Sequence, residues 1–140
     1  MELTKNFKLE EFTKSETATQ KGIDNTPSEE ILENIKYMAE QLQIIRNSYK
    51  MPINISSGYR CEDLNQAVKG SKTSQHKQGL AVDINQGSRT RNHNLFKLVR
   101  NMMKIGLPVQ QLIDEYDYSW IHIGFAPKGQ EPRLQVLHIK

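Results

Sequence analysis

The chain has 140 residues, of which 36% are hydrophobic and 25% charged, and a formal net charge of +3. That length suits one ordinary domain able to bury its own core, and the balance of residues excludes a disordered or fibrous chain. A single cysteine, Cys61, excludes an internal disulfide framework and a Cys-rich zinc motif, and no apolar run approaches the roughly 18 residues of a membrane span.

Residues 1–27 read as an irregular polar segment in front of a core at 28–140, together one domain, with Asn6–Phe12 as a candidate short helix. The first twelve residues are mixed in charge and carry no apolar stretch like a signal-peptide core, so a protein made in the cytoplasm without a leader is expected. Thr26-Pro27-Ser28-Glu29 reads as a helix start: an N-cap, a proline at the first position and a capping-box glutamate. Ile31, Ile35, Met38, Leu42 and Ile45 then recur at helical spacing up to Tyr49, before Met51-Pro52. Ile53–Ser56 alternates as a short strand ended by Gly58, and Leu80–Ile84 is a second strand. A second helix is expected over Arg91–Lys104, burying Leu95, Leu98, Val99, Met102 and Met103, with Gly106 and Pro108 closing it. Val109–Glu115, Ser119–Phe125 and Leu134–Ile139 follow as three strands. Helices first and an antiparallel meander later predict an α+β fold, a small, mostly antiparallel sheet packed against helices.

Two histidines stand in informative settings. His76 opens His76-Lys77-Gln78-Gly79-Leu80-Ala81-Val82-Asp83, where on a strand Gly79, Ala81 and Asp83 share one face and Leu80, Val82 and Ile84 the apolar other. Asp83 is then a carboxylate among core residues and needs a cation or strong donors. In Trp120–Phe125, His122 shares a face with Trp120 and Gly124. Two histidines and a carboxylate would leave a fourth tetrahedral position open, as catalytic rather than structural zinc sites do. Spacing alone leaves other readings open: a strand histidine can be a hydrogen-bonded core residue, and Asp83 can pair with Arg60 or a helix terminus.

If Asp117-Tyr118 is a two-residue hairpin turn, Glu115 pairs with Trp120 and so lies on the His122 side, while Asp114 faces away beside Ile121. A carboxylate there can take a water proton and return it to a leaving amine. A longer turn would swap Asp114 and Glu115, and Asp117 is a third candidate.

Ser57-Gly58-Tyr59-Arg60, Leu64-Asn65, Ser74-Gln75-His76 through Gly79, Ala81 and Asp83, and Trp120-Ile121-His122 together resemble the zinc D-alanyl-D-alanine carboxypeptidase family. That family includes phage endolysins, and Asn6–Phe12 with Asn25–Ile35 resemble its short phage and prophage members. The resemblance implies a hedgehog-like fold and one Zn2+ per chain on His76, Asp83 and His122. It implies Arg60 as the residue that holds substrate and stabilises charge on the scissile carbonyl, and Ser74 as a substrate neighbour. Many members carry the catalytic carboxylate three residues before the last histidine, where this chain has Ser119. Members with a glutamate at the end of a preceding Gln-Leu-Ile strand match Gln111–Glu115, which makes Glu115 the expected base. The expected activity is zinc-dependent hydrolysis of peptidoglycan stem or cross-bridge peptides by a carboxypeptidase or endopeptidase. The alternative is a peptidoglycan-binding module that keeps the fold and zinc without turnover. A monomer is expected, with no membrane insertion. The basic residues are not interleaved with aromatics, so no nucleic-acid partner is expected. A leaderless chain would act on the wall only after release or export.

Overall fold

The apolar stripe that opens the core lies on α3 (Glu29–Tyr49), where Ile35, Met38, Leu42 and Ile45 lose all contact with solvent in the computed structural model, which describes residues 1–140. The cap of this helix is Ser28 rather than Thr26: its hydroxyl accepts the Ile31 N–H, and Pro27 stands outside the first turn. Thr26 is drawn backwards instead, donating its N–H and hydroxyl to Asp24. Lys50 ends the helix in a left-handed conformation, φ 63°.

Residues 1–27 are not irregular. They form α1 (Leu9–Thr13) and α2 (Glu16–Lys21), and Phe7 and Phe12 are buried with the rest of the core. The candidate helix at Asn6–Phe12 is found as α1, shifted toward Thr13, whereas α2 is too short for periodicity to reveal. Asn25 fastens the segment to the Tyr59–Cys61 loop. Its amide nitrogen donates to the Thr13 and Tyr59 carbonyls at 2.9 and 3.0 Å, and its oxygen accepts the Cys61 N–H at 2.8 Å. The Tyr59 N–H reaches the Phe12 carbonyl at 2.7 Å, so close that a Cβ on neighbouring Gly58 would collide with it.

Five strands make one sheet in the order β1-β2-β4-β3-β5: β1 Ile55–Ser57, β2 Ala81–Ile84, β3 Val109–Glu115, β4 Trp120–Phe125 and β5 Gln135–Ile139. Neighbours run antiparallel except β3 and β5, which are parallel. The expected meander is therefore corrected at its last strand. One edge of β4 is taken by β2 and the other by β3, so the chain crosses the start of β3 and pairs on its far side. The crossing is held by the Leu134 N–H on the Val109 carbonyl, 3.1 Å.

One sheet face carries Val82, Ile84, Leu112, Ile121 and Ile123, all buried with α3 and with α5 (Arg89–Met103). The helix α5 begins two residues earlier than expected, capped by Ser88, and its fully buried Phe96 takes the place that Leu98, only half-buried, was expected to share. Two further pieces, α4 (Glu62–Ala67) and a 3₁₀ turn at Gln75–Gln78, lie in what the sequence left as connection. No helix is long and apolar enough to cross a membrane. The opposite face of β2, β3 and β4 carries Asp83, Glu115 and His122.

Candidate metal centre

His76 is set by the 3₁₀ turn. The Ser74 hydroxyl caps that turn by accepting the His76 N–H at 3.2 Å, and Gly79 closes it at φ 72°. Gly79 is therefore a turn residue packed against Ile31 and Ile35 of α3, not a strand residue sharing a face with Asp83. The His76 ring is 3% exposed, with Nδ1 at 2.7 Å from the Gly58 carbonyl. A carbonyl only accepts, so Nδ1 holds the proton and Nε2 presents its lone pair to the site.

Asp83 and His122 are directly paired across β2 and β4. One oxygen of Asp83, Oδ1, lies 3.0 Å from His122 Nδ1 and 3.3 Å from His76 Nε2. The ligand atoms of the three residues all lie within 4.8 Å of one another. Burial alone would raise the Asp83 carboxyl, but in the metal-free protein hydrogen bonds from His122 and His76, when those rings carry the extra proton, and the charge they then bear hold it well below the ordinary carboxylate range. Two imidazoles and a carboxylate, one imidazole fixed in its tautomer by a backbone carbonyl, are a donor set of the kind that catalytic zinc sites use. These residues could hold a metal ion.

Arg60 leans over the cluster. Its Nη2 is 3.7 Å from Asp83 Oδ2, its Nη1 donates to Asn65 Oδ1 at 3.2 Å, and its backbone N–H donates to the His76 carbonyl at 3.0 Å. Burial lowers the guanidinium from its ordinary value, opposed by the Asp83 and Glu115 carboxylates. It does not pair with Glu62, whose carboxylate is taken by Lys77 at 2.6 Å and by Gln66.

The structure separates the three acid–base candidates. Glu115 pairs with Trp120 as the hairpin argument required, although the turn is four residues long, with Tyr116, Asp117 and Tyr118 all left-handed. Glu115 lies on the His122 side, and its Oε2 accepts the Trp120 indole N–H at 2.9 Å. Asp114 is 6% exposed on the other face, accepting the Tyr118 N–H at 2.6 Å and lying 3.0 Å from His138. Asp117 is ion-paired with Arg89 at the turn tip. Only Glu115 shares the face of the cluster, and it stands outside the group of three ligands.

Three supports were not read from the sequence. Asn65, 2% exposed, ties Arg60 to the Ser71 carbonyl, to which its amide donates at 2.9 Å. The residue was visible in its motif, but its role was not. Gly58 offers its carbonyl to His76, and no side chain announces that. Gln75 donates to the Phe125 carbonyl at 3.0 Å and lies flat on Gly124, where a Cβ would strike its amide. The glycine in the Trp120–Phe125 strand was the available signal.

The sequence model of the family described as Peptidase M15 matches residues 5–124. That span contains every residue of the site and the N-terminal helices that brace it. No curated protein matches the chain.

Proposed function

The chain belongs to the peptidase M15 family and is a metallopeptidase by that membership; from this premise we propose that it hydrolyses peptide bonds in bacterial cell-wall peptides, with one zinc on His76, Asp83 and His122. The observation that carries the reading is the convergence of two histidines and one carboxylate within 4.8 Å beside a half-buried arginine, with Glu115 on the same face of the sheet.

Zinc held by His76, Asp83 and His122 would supply a Lewis acid able to lower the pKa of a water to about 7 and to polarise the scissile carbonyl. The remaining chemistry belongs to the chain. Glu115 takes the proton of the attacking water on Oε1, the oxygen that the Trp120 indole leaves free, and delivers it to the departing amine. Trp120 holds the carboxylate in one orientation. Arg60, kept in place by Asn65, offers a permanent positive fork to the developing oxyanion or to a substrate carboxylate. The Ser74 oxygen accepts the His76 N–H and keeps its own proton to donate to substrate.

Two measurements on one preparation test this. Elemental analysis is expected to give about one zinc per chain, as a single open site requires, and none in His122→Ala. Release of product from purified muropeptides is expected from the wild type and not from Glu115→Ala. Ser119 stands where many relatives have a carboxylate, which favours one second reading, a binding module without turnover. Zinc-loaded wild type that retains muropeptides yet releases no more product than Glu115→Ala would establish that reading instead.

A further inference from the structure

A groove of about 950 Å³ runs along β1, the edge strand of the sheet, between that strand and the Lys14–Gln20 segment. His76, Asp83 and His122 do not line it, so it is a separate space from the ligand cluster. Two of its lining residues lead to that cluster: Arg60, 3.7 Å from Asp83, and Ser57, the cross-strand partner of Asp83. The groove therefore adjoins the cluster through these two residues and extends away past Ser56, Ile55 and Asn54.

Its far wall is fixed rather than loose. Ala18 of α2 is 5% exposed, Ser15 caps that helix by accepting the Ala18 N–H, and the Asn25 hydrogen bonds tie the same segment to the Tyr59–Cys61 loop. Ten of its fourteen lining residues are polar or charged, and both signs of charge are present, Lys14 and Arg60 against Glu16. A space of this size lies at the upper end of the range for small-ligand sites, but such sites are mainly apolar. A polar channel along a sheet edge suits an extended peptide, which sets its main chain alongside the edge strand and its side chains into the lining.

We propose that this groove receives the part of a cell-wall peptide that continues beyond the scissile bond, so that the protein takes peptides of several residues bearing both amines and carboxylates. The ligand class rests on the peptidase reading; the existence of an extended peptide site does not.

The test is calorimetric binding of a synthetic stem tetrapeptide, and of an acylated D-alanyl-D-alanine dipeptide, to zinc-loaded Glu115→Ala protein, with and without Thr17→Trp. Thr17 lines the groove and is not one of the three cluster residues, and an indole there is expected to obstruct the channel. Tetrapeptide affinity is expected to fall by about tenfold or more, ~1.4 kcal/mol, with dipeptide affinity unchanged. Thr19→Trp, on the same wall, repeats the experiment should Thr17→Trp fail to fold. Equal tetrapeptide affinity in the blocked and open proteins overturns the proposal, as does the absence of tetrapeptide binding. Groove-dependent binding by a wild type that cleaves nothing leaves the groove standing and removes the peptidase reading. Cleavage of cross-linked muropeptides that is indifferent to Thr17→Trp does the reverse.

Discussion

One oxygen of Asp83 faces two imidazole nitrogens, and the arrangement is fixed by neighbours that are not themselves ligands. Glu115 is the nearest test of chemistry at the level of a single side chain. Glu115→Gln keeps the shape and the acceptor for the Trp120 indole but cannot take a proton. Turnover is expected to fall by about 10²–10⁴-fold, the usual worth of a positioned acid–base group, with zinc content unchanged. Equal loss of zinc would mean that Glu115 supports the ligands instead. Asn65 tests the hold on Arg60. Asn65→Ala removes the acceptor for the Arg60 guanidinium and leaves the Ser71 carbonyl without its donor in a buried place. A stability loss of about 1–3 kcal/mol in urea unfolding is expected from the unsatisfied groups. Because Arg60 then loses its fixed pose, KM for peptide is expected to rise as well. Asn65→Asp keeps the acceptor and is expected to recover the KM but not the stability. Identical KM in wild type and Asn65→Ala would separate Asn65 from Arg60.

At the scale of elements, the 3₁₀ turn and the β3–β4 hairpin bring the chemistry together, and they differ in how much the sequence disclosed. The hairpin was readable because pairing on a two-sided strand has period two: once Glu115 is opposite Trp120, the faces of Asp114, Glu115 and His122 follow. The turn inside it was misjudged in length without harm, since its four residues return the strands to that register. The 3₁₀ turn was not readable, because four residues show no periodicity and its strand-like reading placed Gly79 on the wrong side. The long helix α3 was legible in its stripe, and the three residues that the structure brings together as a candidate ligand set were legible in their motif. The parallel return of β5 was not, because it depends on which strand edges earlier elements have already taken. Two glycines measure how tightly the turn is seated. Gly79 has φ 72° and no room for a Cβ against Ile35, whereas Gly124 is extended and crowded only by the Gln75 side chain. Gly79→Ala therefore meets both left-handed strain, about 1–2 kcal/mol, and a collision with α3, and is expected to lower stability and zinc retention together. Gly124→Ala is expected to disturb Gln75 while leaving the β4 backbone intact, seen as a smaller fall in melting temperature. Equal effects at the two positions would contradict this placement of the turn.

For the molecule as a whole, a metal ion on the proposed site would couple its binding to folding. His76 comes from the 3₁₀ turn, Asp83 from β2 and His122 from β4, so a metal ion bound to all three joins segments 46 residues apart in the chain, from 76 to 122. Binding to the folded state alone stabilises it by RT ln(1 + [L]/Kd), about 4 kcal/mol when free zinc is a thousand times Kd. Removal of zinc with a chelator is expected to lower the melting temperature, and His122→Ala protein is expected to be insensitive to the same treatment. The dependence on acidity runs in one direction. Imidazole binds metal only when neutral, so zinc affinity falls as the pH drops through the range where histidine takes a proton. The zinc-dependent part of the melting temperature should shrink there first. A second loss follows at lower pH in the metal-free protein. The Asp83 carboxyl is held well below its unfolded value of about 3.9, so its contribution is complete above that pH and lost as the pH falls toward the folded value. Melting curves across pH, with zinc and with chelator, are therefore expected to converge as histidine protonates and then to fall together in acid. Curves that stay apart at the acid end would mean that the metal is held by something other than these two histidines.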